Sequence, residues 1–186
     1  MSKALVILSE LNHRDIDWMI NHGIQEHIES GTILIYEGQP IDALYIVLDG
    51  NLSVSVAAVG DREISRIGKG EVLGEMSFID GRLPSATVKA LDKALVLSIP
   101  KKKLSEKLEQ DVLFALRFYR AVTKFLSSRL RNTVNRFSEQ PQSSPSPQTV
   151  PNAEEIDQFQ DGSSKFDWIL QRLKTQANCD CRVKGI

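Results

Sequence analysis

The chain is expected to fold as a mainly β protein with flanking helices, a small antiparallel barrel or jelly roll. Two observations carry that expectation. Between Thr32 and Pro100 the sequence breaks into short runs rich in Val, Ile, Leu, Thr and Tyr, namely TILIYEG, ALYIVLDGNLSVSVAA, REISRIG, SATVKA and KALVLSIP. Glycines at 38, 50, 60, 68, 70, 74 and 81 punctuate those runs, which is the spacing of short antiparallel strands joined by turns. On either side of this region the apolar period lengthens from two residues to between three and four.

The lead-in, Ser9 to Ile28, places Leu11, Ile16, Met19, Ile20, Ile24 and Ile28 at mixed three- and four-residue spacings. One or two short amphipathic helices are predicted there, with Gly23 as a break. Within the strand region, Asp49-Gly50-Asn51 lies between YIVL and LSVSV and has the composition of a tight hairpin requiring a positive φ. In the following strand Leu52, Val54 and Val56 alternate with Ser53 and Ser55, so one face is expected to be wet.

Pro100 opens a stretch to Phe137 with no further Gly or Pro, predicted as a short helix to about Gln110 and a long one after it. The long helix carries two apolar stripes. Val112, Leu116, Tyr119, Val122, Leu126, Leu130 and Val134 form one, and Phe114, Phe118, Ala121 and Phe125 form the other. Two stripes need two surfaces: the β domain, and a helix of a second subunit. A homodimer through residues 111–137 is therefore expected, with a single broad stripe buried within a monomer as the alternative.

Ser138 to Pro151 contains four of the seven prolines and almost no apolar residue. By composition, residues 138–162 are a disordered linker. In the tail, 163–186, Phe166, Ile169, Leu170 and Leu173 follow the i, i+3, i+4, i+7 pattern of a short amphipathic helix. Its docking place, on its own domain, on a partner or on neither, stays open at this level. Residues 1–137 form the principal domain.

The 186 residues suffice for one sizeable core, and a formal net charge of −1 does not favour a polyanion binder. No apolar run is long enough to span a membrane, and Cys179 and Cys181 are too few and too close for a disulfide framework, so a cytoplasmic protein is expected. Two thiols without a nearby histidine cannot complete a zinc shell, and no metal site is expected. His13, His22 and His27 all fall in the predicted helical lead-in without a nucleophile or metal cluster beside them, so no catalytic residues are assigned and an enzyme is not expected. Between Pro100 and Phe137, ten Lys or Arg face three Asp or Glu, a local basic excess that reads as a solvated helix face before it reads as a surface for acidic protein, lipid or nucleic acid.

The segment that carries chemistry is GEMSFIDGRLPSATVKA, residues 74–90. Gly74-Glu75 opens a helical turn, Gly81 and Pro84 shape a tight loop, and Ser85-Ala86-Thr87 leads into a strand. Glu75 supplies an acceptor suited to sugar hydroxyls, and loop N–H groups suit a phosphate. By spacing alone, a strand-turn-strand corner with Glu75 capping a helix accounts for the same residues.

The run GTILIYEGQPIDALYIVLDGNLSV, followed by GEVLGEMSFIDGRLPSATVKA and a paired helical end, resembles the cyclic nucleotide-binding domain of bacterial cAMP receptor proteins, protein kinase A regulatory subunits and cyclic-nucleotide-gated channels. The resemblance spans roughly Leu8 to Arg131. It implies an eight-stranded jelly-roll barrel with flanking helices and a regulatory or sensor function. It also implies cAMP or another cyclic nucleotide as ligand, acting through the terminal helices on an unidentified partner protein. No other cofactor is expected. The family's phosphate-binding cassette resembles Gly-Glu-Leu-Ala-Leu followed by Pro-Arg-Ala-Ala-Thr-Val, which places the site on Gly74, Glu75, Met76, Ser77, Pro84, Ser85, Ala86 and Thr87, with Arg82 in the intervening loop.

One cassette residue is missing. Counted from Gly74, Pro84 stands where the arginine belongs; with the prolines aligned, Ser85 does. Hydrogen bonds to a charged group contribute about 1.5 to 3 kcal/mol each, so losing a bidentate pair costs about 3 to 5 kcal/mol, on the order of a hundredfold to several thousandfold in affinity. Ser85 and Arg82 are the local substitutes, though the turn holding Arg82 is expected to face solvent. The competing expectation is an interaction module that keeps only the fold. Specific DNA binding is not expected, because the region after Pro151 is short and lacks a second recognition-type helix.

Overall fold

The computed structural model describes the backbone of residues 5–138 and 153–183. Two helices, α1 (Leu5–Glu10) and α2 (His13–His22), lead into eight strands: β1 (Ile24–Ile28), β2 (Ile33–Ile35), β3 (Ala43–Asp49), β4 (Leu52–Val56), β5 (Arg62–Ile67), β6 (Val72–Leu73), β7 (Thr87–Ala90) and β8 (Ala94–Pro100). A short helix α3 (Glu75–Asp80) interrupts the strands after β6, and α4 (Lys101–Gln110), α5 (Val112–Ser138) and α6 (Ala153–Val183) follow them. The strands pair antiparallel in two four-stranded sheets, ordered β1-β8-β3-β6 and β2-β7-β4-β5. This is the jelly-roll arrangement that the turn spacing and the resemblance imply.

Side-chain alternation explains how the sheets face each other. Val47 of β3 and Leu73 of β6 meet Ile35, Leu52, Val54, Ile67 and Val88 of the opposite sheet between the layers. Leu44, Ile46 and Leu48 of β3, one residue out of step with Val47, point the other way and join Leu97 and Ile99 beneath the helices. In β4 Leu52 and Val54 are buried while Ser53 and Ser55 are only partly covered, as alternation predicts.

The hairpin at Asp49-Gly50-Asn51 has its positive φ at Gly50, +90°. A Cβ there would also lie 2.6 Å from Ala94 Cα and 2.8 Å from the Lys93 carbonyl, so both the turn and the close approach to β8 require glycine. Asn51 then ties the turn across the sheet, its backbone and side-chain N–H groups each donating to the Asp92 carboxylate at 2.8 Å.

The lead-in departs from expectation after Gly23. Residues 24–28, including His27, form β1, pairing antiparallel with β8 from Ile24↔Ser98 to Ile28↔Ala94. The three- and four-residue spacing that suggested helix there is outweighed by the hydrogen bonds that β8 offers along an otherwise open edge. Helix α2 begins with a capping box: Asn12 Oδ1 accepts from the Asp15 N–H, and Asp15 Oδ2 accepts from the Asn12 N–H, both at 2.9 Å. Asp15 also receives a bidentate pair from Arg117 of α5, Nε at 2.6 Å and Nη2 at 2.8 Å. That pair holds the Arg117 guanidinium above its ordinary pKa and fastens the lead-in to the long helix.

Both predicted stripes of α5 are present, and they differ in burial. Phe114, Phe118, Ala121 and Phe125 are fully buried in the helix-side core with α1, α2, β3 and β8. Of the other stripe, Val112, Leu116, Tyr119, Leu130 and Val134 are exposed, whereas Val122 is buried. Glu10 receives both Arg120 and Lys124; burial pushes its carboxyl up, but the two cations outweigh burial and leave it below its ordinary value.

Helix α6 is longer than the predicted tail helix, starting at Ala153 rather than within 163–186, so residues 153–162 are helix and not linker. The acidic pair Glu154-Glu155 near its start and the absence of proline after Pro151 favour that extension. Residues 139–152 lie outside the described residues. The amphipathic pattern of the tail docks on its own domain: Phe166, Ile169 and Leu173 are buried against α1 and α2. Lys165 Nζ donates to the Ser9 carbonyl at 2.9 Å, and His13 meets the Trp168 ring edge to face with centroids 5.3 Å apart. The side chains of Cys179 and Cys181 fall outside the described residues.

Candidate functional site

A cavity of about 870 Å³ opens where the segment from Gly74 to Ala86 meets the β2-β7-β4-β5 sheet and α5. Its size lies within the range of small-molecule sites. Strand residues such as Ile35, Val54 and Ile67 make its wall apolar, and the charged groups lining it are Glu75, Asp80, Arg82 and Arg129.

The segment is held in place by its backbone. Gly74 precedes α3 with φ +81°, and a Cβ would meet Ile41 Cδ1 at 2.7 Å, so glycine is what allows α3 to turn in against β3. Gly81 ends the helix, again with positive φ. The loop that follows is pinned by the Gly38 N–H, which donates to the Pro84 carbonyl at 2.9 Å.

Glu75 is the chemical centre of the cavity. Its residue is only 3% exposed, although carboxylates seldom enter a protein interior unpaired. Its partner is Arg129 of α5, whose Nη1 donates to Oε1. Burial pushes the Glu75 carboxyl above its ordinary value, and the Arg129 charge draws it back only in part. Arg129 also lies over the Phe125 ring, its Cζ 5.0 Å from the centroid, a cation–π contact.

Residues 25–111 match the family described as the cyclic nucleotide-binding domain. The match takes in β2 to β8 with helices α3 and α4. The cAMP-activated global transcriptional regulator CRP of Pasteurella multocida is 27% identical over 128 residues, covering 66% of this chain and 58% of the regulator. An uncharacterized NTE family protein of Mycobacterium tuberculosis is 28% identical over 131 residues, 70% of this chain but 22% of that protein. The chain thus spans about a fifth of the length of that relative. Among solved structures, a cyclic nucleotide-binding domain from Methylobacillus flagellatus superposes with a TM-score of 0.67 at 20% identity, covering 77% of this chain and 85% of the other, which shows the shared fold.

Eight of the residues singled out in the sequence line the cavity: Gly74, Glu75, Met76, Ser77, Arg82, Pro84, Ser85 and Ala86. Thr87 does not; its Oγ1 accepts from the Glu37 N–H at 3.2 Å, tying β7 to the turn after β2. Arg82 is on the lining but exposed, and its backbone N–H donates to Asp80 Oδ1 at 2.9 Å.

Sequence reasoning missed the contribution of α5. Leu126, Arg129, Leu130 and Thr133 line the cavity from one helix face, so Leu130, counted in the exposed apolar stripe, belongs to the cavity rim. Arg129 was one of ten basic residues in a helical stretch, and no local pattern distinguishes it from the others. The basic excess is partly neutralised within the fold, because Lys107, Arg117, Arg120, Lys124 and Arg129 each pair with an acidic side chain. Among the described residues no group of three or more His, Cys, Asp or Glu could hold a metal ion, and no helix is long and apolar enough to cross a membrane.

Proposed function

We propose that the protein is a regulatory sensor module in which a cyclic nucleotide, bound in the cavity at Glu75, biases the position of α5. The observation that carries this reading is the Glu75–Arg129 ion pair, which joins the cassette directly to the long helix across the cavity. A ligand that engages the Glu75–Arg129 pair contacts the segment after β6 and α5 together, so its affinity differs between helix positions. That difference is the condition for a ligand to shift a conformational equilibrium. The output then passes to a partner protein through the terminal helices, and no chemistry on the ligand is required. The family match and the name of the Pasteurella regulator support the same reading.

Calorimetric titration tests it. The wild type is expected to bind cAMP or cGMP saturably in the micromolar range. Glu75→Ala should bind at least about tenfold more weakly, the loss expected for hydrogen bonds to a charged acceptor. Absence of saturable binding of either nucleotide by the wild type overturns the reading.

The exposed stripe on α5 favours a second element of function, self-association. Val112, Leu113 and Leu116 are 76%, 65% and 64% exposed on a helix whose opposite face is fully packed. Such a row buries itself against a copy of the same helix at little cost in ordering. Sedimentation is expected to show a dimer for the wild type and a monomer for Leu116→Asp with unchanged secondary structure. A monomeric wild type at tens of micromolar concentration removes the helix as a dimer interface. If association persists while cyclic nucleotides fail to bind, the fold serves as an interaction module alone.

A further inference from the structure

The cassette has Pro84-Ser85 where the resemblance places its arginine, yet the cavity holds a guanidinium from outside the cassette. We infer that Arg129, from α5, makes the contact to the cyclic phosphodiester of the ligand in place of the missing cassette arginine. The inference rests on the nucleotide reading above and assigns the phosphate-binding cation within it.

Charge is the first argument. Glu75 is a buried carboxylate on the cavity wall, and an anionic ligand beside it meets like-charge repulsion unless a cation stands between or beside them. The lining offers two cations, Arg82 and Arg129, against the two acidic groups Glu75 and Asp80.

Geometry separates the two cations. Arg82 sits in the exposed loop after α3 and would have to be ordered on binding, at the cost of its rotamer freedom. Arg129 is already oriented: it belongs to a regular helix, its guanidinium lies over Phe125, and its side chain is 30% exposed. Glu75 uses only Nη1, so Nε and Nη2 keep N–H donors outside that bond. A planar guanidinium presents its donors in a fork, so one arginine can hold a carboxylate on one edge and a phosphate on another. Leu126 and Thr133, three residues before and four after it on the same helix, line the cavity beside it together with the adjacent Leu130, which aims this face of α5 at the ligand.

The alternative role for Arg129 is to neutralise Glu75 and nothing more. The two roles differ in what happens when Glu75 loses its charge. Competition titrations with cAMP and with adenosine, which lacks the phosphate, are made on the wild type, Glu75→Gln, Arg129→Gln, Arg129→Lys, Arg82→Gln and the Glu75→Gln/Arg129→Gln pair. The pair leaves no uncompensated buried carboxylate and guards against misfolding of the single variant.

Loss of a direct, charge-assisted phosphate contact predicts that Arg129→Gln and the double variant lose about 100-fold in preference for cAMP over adenosine. Glu75→Gln is expected to keep that preference while binding both compounds more weakly, Arg129→Lys to keep part of it, and Arg82→Gln to keep all of it. Undiminished preference in Arg129→Gln or in the double variant, or equal loss of preference in Glu75→Gln and Arg129→Gln, overturns the assignment and leaves the nucleotide reading standing. A wild type that binds no cyclic nucleotide overturns both.

Discussion

Phe118→Ala is expected to destabilise the protein by about 3 to 5 kcal/mol, the range for removing a buried aromatic side chain. Phe118 is only 1% exposed and sits where three parts of the fold meet. Its ring takes Phe78 of α3 edge to face, centroids 5.7 Å apart, and stacks with Phe114 at 6.0 Å. The helix-side core around it also takes side chains from α1, α2 and β8. Close packing leaves few neighbours able to collapse into the space of a lost ring, since they are held by strands on one side and by the Asp15–Arg117 pair on the other. Total stabilities of about 5 to 15 kcal/mol make such a loss a large fraction of the whole. Urea unfolding should show the midpoint falling with an unchanged slope. A loss below about 1 kcal/mol would mean that α5 does not pack on α3 and the sheet as described. Because Phe78 belongs to α3, which also carries Glu75, the function proposed above predicts weaker cyclic nucleotide binding by the same variant.

The second large effect concerns charge. Arg129→Gln leaves Glu75 buried without its partner, and breaking a buried pair in this way costs about 3 kcal/mol at the lower end of the observed range, appropriate to a site that opens on a cavity. The cost depends on pH with a definite sign. The Glu75 carboxyl is raised in the folded protein above its ordinary value of 4.5, so over a window opening there and extending upward the folded state holds a proton that the unfolded state has released. Stability attributable to this residue therefore falls as pH rises through the window. Removing the Arg129 charge raises the folded pKa further and widens the window upward. Arg129→Gln should thus be strongly destabilising near pH 8 and less so as the pH is lowered toward 5, because the raised folded-state pKa lets the buried carboxyl hold its proton more than the unfolded chain does. Adding Glu75→Gln should abolish this pH dependence. Denaturant unfolding at the two pH values checks it, and parallel losses at both would show that Glu75 is not the group responsible.

Much of the architecture is legible locally. Strand runs separated by glycines, the hairpin at Gly50, the Pro100 helix start and the two stripes of α5 all reflect interactions between near neighbours in the chain. The boundary at Gly23 was legible, but the strand after it was not. Ile24, with 58% of its surface exposed, pairs with a partner 74 residues away, and nothing in IQEHI itself prefers the sheet. The tail shows the same division. The periodicity of Phe166, Ile169 and Leu173 announced a helix with one apolar face, while the surface that covers that face, α1 with α2, depended on how the lead-in packs.

The sequence by itself determined the strand-and-turn pattern and the helical turn, tight loop and strand entry of the segment from Gly74 to Thr87, because each is written in residue types at short spacing. Only the tertiary structure decided which cation stands beside Glu75. Arg129 is 54 residues further along the chain and indistinguishable locally from its basic neighbours. It enters the cavity because the phenylalanine stripe seats α5 against the core, and that rotation of the helix turns position 129 toward the buried carboxylate.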